Sequence, residues 1–184
     1  TRYFVLTADI DMSSITDWTP VNTANKAFGL DFDGGNHSIS GFTCTNKNYA
    51  SLFGLVHGSV RNRRSVAPLV SHTSQCGIVA TWLGNNNGSL SATISNVRIT
   101  DAQINCTAGG AACVGMIAAN AGSSHILDCS ATGSINLVCN GSSSVWTYVG
   151  GIVGRNYVSG DIRRCSFSGS ISNSGKNCYG FAGI

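Results

Sequence analysis

Short apolar runs alternate with polar turns along the chain, and the same order of runs recurs from residue 51 onward. The clearest unit is Val149 to Ile171, VGGIVGRNYVSGDIRRCSFSGSI, in which a Gly-flanked apolar run, a polar turn and an alternating strand follow one another. Similar runs are Leu52-Phe53-Gly54, Gly77-Ile78-Val79-Ala80, Gly115-Met116-Ile117-Ala118 and Gly180-Phe181-Ala182-Gly183. Strands and turns repeated in a fixed order every few dozen residues predict a solenoid.

Each apolar run is followed by two further apolar positions. The first opens a second strand, at Val60, Ile94, Ile126 and Ile162, and the next comes nine or ten residues later, at Val70, Ile104, Ile135 and Ile171. Three short strands per coil, stacked about 4.8 Å apart, predict a parallel β-helix in which equivalent side chains form ladders. We expect an inward ladder of Val97, Cys129 and Cys165 and an outward polar ladder of Asn62, Asn96, Asp128 and Arg164. Gly54, Ala80, Ala118, Gly154 and Gly183 are taken as equivalent small residues at a tight bend.

The first fifty residues differ from the rest. Tyr3 to Met12, YFVLTADIDM, predicts an opening strand, and Asp33 to Asn36 forms a DGGN turn in which glycine supplies positive φ angles. We therefore predict one domain over residues 1–184, with irregular N-terminal strands and the DGGN turn in 1–50 and solenoid coils in 51–184. Because the sequence starts at a threonine and stops inside a run typical of the next repeat, we expect it to be a segment of a longer chain.

The composition favours an all-β protein. Only 10% of residues are charged and none is Glu, while Ser, Thr, Asn and Gly, which prefer turns and strands, fill the polar positions. Eleven basic and eight acidic residues give a net charge of +3, and the one basic cluster, Arg61, Arg63 and Arg64, is interpreted as a solvated edge. This pattern argues against nucleic-acid binding, and the short apolar runs argue against membrane insertion in this segment.

The ordered motifs resemble a known family. They are YFVLTADIDM, Trp18-Thr19-Pro20-Val21, FGLDFDGGNHSISGF, SLFG and the GGIVGRN…IRRCSFSGSI repeats. Together they are similar to the GLUG-repeat proteins, named for a Gly-Leu-any-Gly core. The resemblance implies a secreted or surface-displayed right-handed β-solenoid of the adhesin-like kind, which also occurs as an accessory region of IgA-specific metallopeptidases. It supplies no catalytic residues.

Eight cysteines in a weakly charged chain indicate an oxidising, extracellular setting. No C-x-x-C pair occurs and the four histidines are scattered, so we predict no metal site. Disulfide candidates are Cys106 with Cys139 and Cys76 with Cys113, each pair joining adjacent coils. Cys129 and Cys165 lie within disulfide range one coil apart, although the family often carries unbonded cysteines there, which favours a buried thiol ladder.

Two pairs of carboxylates, Asp9 with Asp11 and Asp31 with Asp33, are the only acids at i, i+2 spacing. On a strand both members of a pair face one side, as a calcium site or an acid/base pair requires. Aspartates in such opening segments more often cap turns, and this structural interpretation is favoured. A catalytic member of either pair would titrate well above the normal value near 4.

Two groups of residues suggest contact with glycans. N-glycosylation sequons occur at Asn36, Asn87, Asn105 and Asn140, all in predicted turns, and Asn87 in the NNNGS loop is the best candidate. Aromatic residues near loop ends, Trp82, Trp146, Tyr148 and Tyr157, could stack on sugar rings or cap solenoid corners.

The expected function is that of a non-enzymatic, extracellular structural or adhesive solenoid without a cofactor. Parallel β-helices end in unpaired strand edges, so we expect self-association end to end into a fibre or surface layer, or contact with flanking domains of the same chain. A glycan-binding module is the alternative. A polysaccharide-degrading β-helix enzyme is a further one, but it requires clustered carboxylates, whereas Asp101, Asp128 and Asp161 are spread thinly.

Overall fold

The computed structural model of the chain describes residues 2–22, 29, 31–45, 49–85, 87–140, 145–158, 160–175 and 178–181. Within them the backbone forms twenty β-strands and no helix, so the described residues contain no helix that could cross a membrane. The N-terminal part contains five short strands: β1 (Tyr3–Val5), β2 (Ile10–Asp11), β3 (Asp31–Asp33), β4 (Ser38–Ser40) and β5 (Thr43–Thr45).

The remaining strands follow a repeating path. They are β6 (Phe53–Val56), β7 (Gly58–Val66), β8 (Leu69–His72), β9 (Gln75–Gly77), β10 (Ala80–Leu83), β11 (Ala92–Ala108), β12 (Ala112–Gly115), β13 (Ala118–Ala121), β14 (His125–Leu127), β15 (Ser130–Cys139), β16 (Val145–Gly150), β17 (Val153–Asn156), β18 (Asp161–Arg163), β19 (Ser166–Asn173) and β20 (Cys178–Phe181).

Three parallel sheets build the solenoid. Sheet 1 has twelve strands, β1–β5, β7, β8, β11, β14, β15, β18 and β19; sheet 2 stacks β6, β10, β13 and β17; and sheet 3 stacks β9, β12, β16 and β20. From β6 onward the chain visits sheets 2, 1 and 3 in turn and repeats this circuit, and the strands pair in parallel. The predicted parallel β-solenoid with about three strands per coil is confirmed.

The inward ladders lie where the repeat predicts them. Val60, Ile94 and Ile126 are in register and fully buried, and Ile162 continues the row at the partly covered end. A second row holds Val70, Ile104, Ile135 and Ile171 in register. Each coil thereby covers the apolar face of its neighbour, which is how a solenoid excludes water from a core that one coil cannot close.

The outward polar ladder marks a bend in sheet 1. Asn62, Asn96, Asp128 and Arg164 have φ angles of 52°, 50°, 55° and 51°. Asn and Asp tolerate this left-handed conformation better than most residues. Asn96 Nδ2 donates to Asn62 Oδ1 at 2.9 Å, and Arg164 pairs with Asp128, with Nη2 to Oδ2 at 2.8 Å. The sequence predicted that these residues form a polar row, but it did not predict their left-handed backbone conformation.

The Gly-flanked runs prove to be corners and not single strands. Ile78 and Val79, like Met116 and Ile117, are fully buried in a two-residue corner between a strand of sheet 3 and a strand of sheet 2. The runs therefore contain parts of two strands, and sheet 3 is the element that the repeat pattern left undetected.

The predicted alignment of the small residues is wrong in two of the coils described. The register places Ala80 and Ala118 opposite Phe53 and Val153, one residue before Gly54 and Gly154. Gly183 lies outside the described residues. The need for small residues at the corner is nevertheless real, because a Cβ on Gly154 would lie 2.6 Å from the Val114 amide nitrogen.

Candidate functional site

Two outward columns of side chains face each other across the corner between sheets 3 and 2. On sheet 2, Trp82, Asn120 and Arg155 are in register on consecutive coils. On sheet 3, the matching column is Gln75, Cys113 and Tyr148. Because only two residues separate the sheets at this corner, the columns touch, and Trp82 Nε1 donates to Gln75 Oε1 at 2.8 Å.

Arg155 lies at the centre of a row of aromatic rings. Its guanidinium carbon is 3.8 Å from the ring centroid of Tyr157 and 4.6 Å from that of Tyr148, and Nη1 donates to the Tyr157 hydroxyl at 2.7 Å. Trp82 stacks on Tyr157 with centroids 5.3 Å apart, and Trp146 stacks on Tyr148 at 6.3 Å. We call these five residues, with Gln75, Cys113 and Asn120, the aromatic–arginine cluster.

All four aromatic residues predicted as glycan contacts therefore meet in one place. The indole of Trp146 is 63% exposed, whereas Trp82, Tyr148 and Tyr157 are partly buried. Ring stacking and the cation–π contacts of Arg155 restrict the rotamers of the row, so its flat surfaces are held in place before any ligand binds.

The polar groups of the cluster carry an unbalanced charge. Among the described residues no carboxylate forms an ion pair with Arg155. Burial raises the pKa of the Cys113 thiol to about 11, so this thiol is neutral at pH 7 and does not balance the cation. Asn120 is fully buried; its Nδ2 donates to Gln75 Oε1 at 3.3 Å, while Oδ1 has no partner. The cluster can thus offer guanidinium donors and aromatic faces to a ligand, whereas the Asn120 amide is enclosed.

The roles of Gln75, Asn120 and Arg155 were missed from the sequence. The sequence does contain a signal: Tyr157 lies two residues after Arg155, and Tyr148 lies seven residues before Arg155, as Gln75 lies seven before Trp82. The equal spacing reflects the corner between sheets 3 and 2, which had not been recognised.

The predicted disulfide between Cys76 and Cys113 is wrong, because both are free thiols. Cys76 is in register with Val114, and Cys113 with Gln75. A one-residue offset turns side chains to opposite faces of a strand, so these two thiols cannot meet.

The predicted pair Cys106 with Cys139 is wrong as well. Cys106 is free and lies opposite Leu137, whereas Cys139 lies opposite Ala108 and is disulfide-bonded to a partner outside the side chains described. The thiol of Cys106 instead hydrogen-bonds that of Cys76. This bond, together with burial, raises the pKa of Cys76 well above its usual value.

Cys129 and Cys165 form the buried thiol ladder that the family resemblance favoured. Both are free, and their sulfur atoms donate to main-chain carbonyls, Cys129 to Leu127 at 3.2 Å and Cys165 to Arg163 at 3.3 Å. Burial raises the pKa of Cys129 to about 12, so its thiol is protonated and unreactive at neutral pH.

Three of the four paired carboxylates near the N-terminus, those of Asp9, Asp11 and Asp33, accept hydrogen bonds from backbone amides, and Asp31 accepts one from the Ser59 hydroxyl. Asp33 Oδ1 accepts from the Gly35 amide at 2.9 Å and Oδ2 accepts from Arg61 Nε at 3.1 Å. The Gly35 hydrogen bond is the largest cause that lowers the pKa of Asp33 to about 2. Hydrogen bonds from the amides of Ser38 and Ser13 likewise lower the pKa of Asp9 and Asp11. These directions are opposite to the raised pKa expected of a catalytic acid.

Three of the four sequons lie at turns or strand ends. Asn36 is exposed in the DGGN turn, Asn87 is exposed in its loop, and Asn140 directly follows β15. The fourth, Asn105, lies inside β11 and not in a turn, and its Oδ1 accepts from Asn136 Nδ2 at 3.0 Å. Asn105 therefore belongs to a polar ladder on sheet 1.

The interpretation of the basic cluster as a solvated edge is wrong for one member. Arg61 is partly exposed and pairs with Asp33, and Arg64 is exposed. Arg63 is 1% exposed, and its three guanidinium nitrogens have no hydrogen-bond partner. Arg63 occupies the inward position that Val97 occupies on the next coil.

Comparison with known proteins agrees with this fold. Residues 147–172, from β16 to β19, match the family model of the GLUG motif, so the predicted resemblance to GLUG-repeat proteins is confirmed there. The protein is thus a parallel β-solenoid that carries a GLUG motif, and this motif contains Tyr148, Arg155 and Tyr157. A similar solved structure is that of a "putative immunoglobulin A1 protease" from Bacteroides ovatus, with a TM-score of 0.55 and 25% identity, covering 98% of this chain and 76% of that one. No curated protein matches the sequence significantly.

Proposed function

We propose that this chain is a non-enzymatic, extracellular adhesive solenoid that binds glycans through the aromatic–arginine cluster. The observation that carries the proposal is the gathering of Trp82, Tyr157, Arg155, Tyr148 and Trp146 into one stacked row. Sugar rings present C–H faces that stack on aromatic rings, and their hydroxyl groups need donors and acceptors nearby. The row supplies the aromatic faces, and the partly exposed side chains of Arg155 and Gln75 supply the polar groups.

The charge of the cluster favours an acidic glycan. The Arg155 guanidinium lies against the rings of Tyr148 and Tyr157, and its Nη1 donates to the Tyr157 hydroxyl, so its remaining in-plane N–H groups are the donors available to a ligand. In-plane donors are the ones that bind a carboxylate in bidentate geometry. A sugar that carries a carboxylate would therefore place that group at Arg155 and its ring on Trp146.

An enzymatic role has less support. Asp128 pairs with Arg164, and Asp161 lies 3.0 Å from Arg163 Nη2 and 3.3 Å from His125 Nδ1. These acids are engaged in separate, exposed ion pairs, Asp128 at a bend and Asp161 on β18, whereas glycoside hydrolysis requires two carboxylates facing one bond. The Bacteroides ovatus protein is named as a "putative immunoglobulin A1 protease", and that name is a property of that protein alone.

The extracellular setting is supported by the disulfide at Cys139, because structural disulfides persist in oxidising compartments. Among the described residues the free thiols of Cys76, Cys106, Cys113 and Cys129 are buried and that of Cys165 is partly buried, so they are shielded from further oxidation. Glycosylation at Asn87 fits the same setting, since that side chain is exposed on a loop.

Replacing Trp146 by alanine tests the proposed glycan binding. We expect wild-type protein to give reproducible hits on a glycan array, enriched in sugars that carry a carboxylate, and the variant to bind these at least about tenfold more weakly. The exposed indole can be removed without opening the core. Gln103→Ala, on the exposed face of sheet 1, is the matched control and should bind normally. Hits that survive in Trp146→Ala would place the binding elsewhere.

End-to-end association is a second candidate function, favoured by the N-terminal end of the solenoid. Of the described strands, β1 pairs with β3 alone and β2 with β4 alone, so their outer edges are open. Beside them lies an apolar cavity of about 280 Å³, lined by Leu6, Ile10, Met12, Ile15, Trp18, Val21, Phe32, Ile39, Leu52 and Phe53. An open strand edge next to an apolar surface favours pairing with another strand.

Substitution of two residues at this end tests the association. Wild-type protein is expected to form oligomers whose mass rises with concentration in sedimentation experiments. Val5→Lys combined with Ile10→Lys should shift the protein to the monomer, because the added charges oppose burial of the edge. Gln103→Lys adds charge to the lateral surface and should leave the oligomers intact. A monomeric wild type at all concentrations would exclude this function.

A further inference from the structure

A small polar cavity lies at the bend of sheet 1, away from the aromatic–arginine cluster. Its volume is about 120 Å³, and its lining consists of Asn36, Arg63, Arg64, Asn96 and Arg98. We call these five residues the basic corner. Three of the five carry a positive charge and the other two carry side-chain amides, so no negative group lines the cavity.

Two of the arginines stand directly opposite each other. Arg64 and Arg98 are in register on the neighbouring parallel strands β7 and β11, and both are exposed. Strands in a sheet are about 4.8 Å apart, so two like charges at paired positions repel each other. Among the described residues neither arginine forms an ion pair. This differs from Arg61, Arg163 and Arg164, each of which pairs with an aspartate.

The third arginine adds a charge that the protein leaves uncompensated. Arg63 is fully buried and none of its three guanidinium nitrogens has a partner. Burial without a counter-charge lowers the pKa of Arg63 to about 9. A cation in this position is costly unless a negative charge lies close by. Arg63 borders the basic corner, but its guanidinium nitrogens are enclosed, so an anion in the cavity would act on Arg63 through its charge and not through a hydrogen bond.

The two asparagines suit an anion as well. Asn96 uses one side-chain N–H to reach Asn62 Oδ1 at 2.9 Å, which leaves its second N–H, and the Asn36 side chain makes no hydrogen bond to a described residue. Both residues have left-handed φ angles, 63° for Asn36 in the DGGN turn and 50° for Asn96 at the bend within β11. Amide N–H groups beside guanidinium groups form the usual donor set of an oxyanion site.

We propose that the basic corner binds a sulfate- or phosphate-type oxyanion. The anion bridges the repelling pair Arg64 and Arg98 with charge-assisted hydrogen bonds, accepts from the asparagine amides, and supplies negative charge next to Arg63. A cavity of about 120 Å³ has room for one such group with its oxygens. This site is independent of the glycan binding proposed for the aromatic–arginine cluster.

An NMR titration with inorganic sulfate tests the site. Sulfate replaces chloride at constant ionic strength, and the backbone amide signals of wild-type protein are followed. The expected result is a saturable shift confined to the amides of the basic corner, Asn36 and Arg63 to Arg64, and Asn96 to Arg98. Arg64→Gln combined with Arg98→Gln should weaken the affinity about tenfold or more, because two charge-assisted donors are lost. Arg163→Gln combined with Arg164→Gln removes the same charge elsewhere on sheet 1 and should leave the affinity unchanged.

Further arms identify the source of the anion. Wild-type protein is titrated with inorganic phosphate, with a sulfated disaccharide and with the unsulfated form of that disaccharide. If the sulfated disaccharide binds saturably and more tightly than free sulfate, the site is assigned to a sulfated glycan. If free sulfate and phosphate bind as tightly as the sulfated disaccharide, the site is assigned to free oxyanions. Wild-type signals that shift linearly without saturation, or that shift equally in the Arg64 and Arg98 variant, would overturn the proposal. Both substituted side chains are exposed, so we expect the double variant to fold. If it does not fold, the wild-type titration, saturable or linear, still decides between acceptance and rejection of the site.

Discussion

Substitution of Arg63 by methionine is expected to increase the free energy of unfolding by about 1–4 kcal/mol. Arg63 is 1% exposed and lacks any hydrogen-bond partner for its guanidinium nitrogens. Wild-type folding therefore transfers an uncompensated charge out of water, which costs free energy that an apolar side chain does not cost. Methionine has an unbranched, flexible chain that fills the same inward position without a polar group.

Urea unfolding in chloride buffer free of sulfate and phosphate measures this effect. Arg64→Met is the matched control, because Arg64 is the exposed neighbour, and its effect should stay within about 0.5 kcal/mol. Sulfate should narrow the difference between wild type and Arg63→Met if the anion of the basic corner compensates Arg63. A strongly destabilised Arg63→Met would show that the guanidinium has a partner in solution.

Substitution of Gly115 by alanine is expected to destabilise the protein by more than about 3 kcal/mol. A Cβ at this position would collide with the Ala118 carbonyl oxygen, and it would lie 2.6 Å from the Gly154 amide nitrogen and 2.8 Å from the Val153 carbonyl carbon. All of these are backbone atoms, and two belong to the next coil, so relief requires the coils to separate. Separation would break the stacking on which each coil depends.

Gly109→Ala is the matched control for this loss. A Cβ on Gly109 meets no atom within 4 Å, so the same chemical change should leave stability unchanged or raise it slightly by restricting the unfolded chain. Thermal unfolding of both variants gives the comparison. If the two variants had the same midpoint temperature of unfolding, the corner would accommodate a Cβ atom and would not require glycine.

The solenoid and its ladders were predictable because they depend on local periodicity. Val60, Ile94 and Ile126 each open the strand that follows an apolar run, and burial in a stack demands apolar side chains at every such position. The corner was harder to predict. A buried corner residue such as Ile78 is as apolar as a strand residue, so the pattern cannot separate a strand from a bend.

Which side chains meet in the candidate sites depends on the register between neighbouring strands. The thiols of Cys76 and Cys113 were paired from their coil positions, yet an offset of one residue turns them apart. The sequence likewise singled out Trp82 and Tyr157 as separate aromatic residues 75 positions apart. Their stacking follows from the number of residues in each intervening loop and corner. Buried Arg63 contradicts the usual preference of charge for solvent, so no pattern of polarity predicts it.

Titration calorimetry of the strongest acidic array glycan against wild type, Trp146→Ala and Gln103→Ala tests the central claim most directly. We predict one binding site per chain, with an affinity at least about tenfold weaker in Trp146→Ala and unchanged in Gln103→Ala. The same affinity for all three proteins, or no heat of binding with any glycan, would contradict the assignment of the aromatic–arginine cluster as a glycan-binding surface.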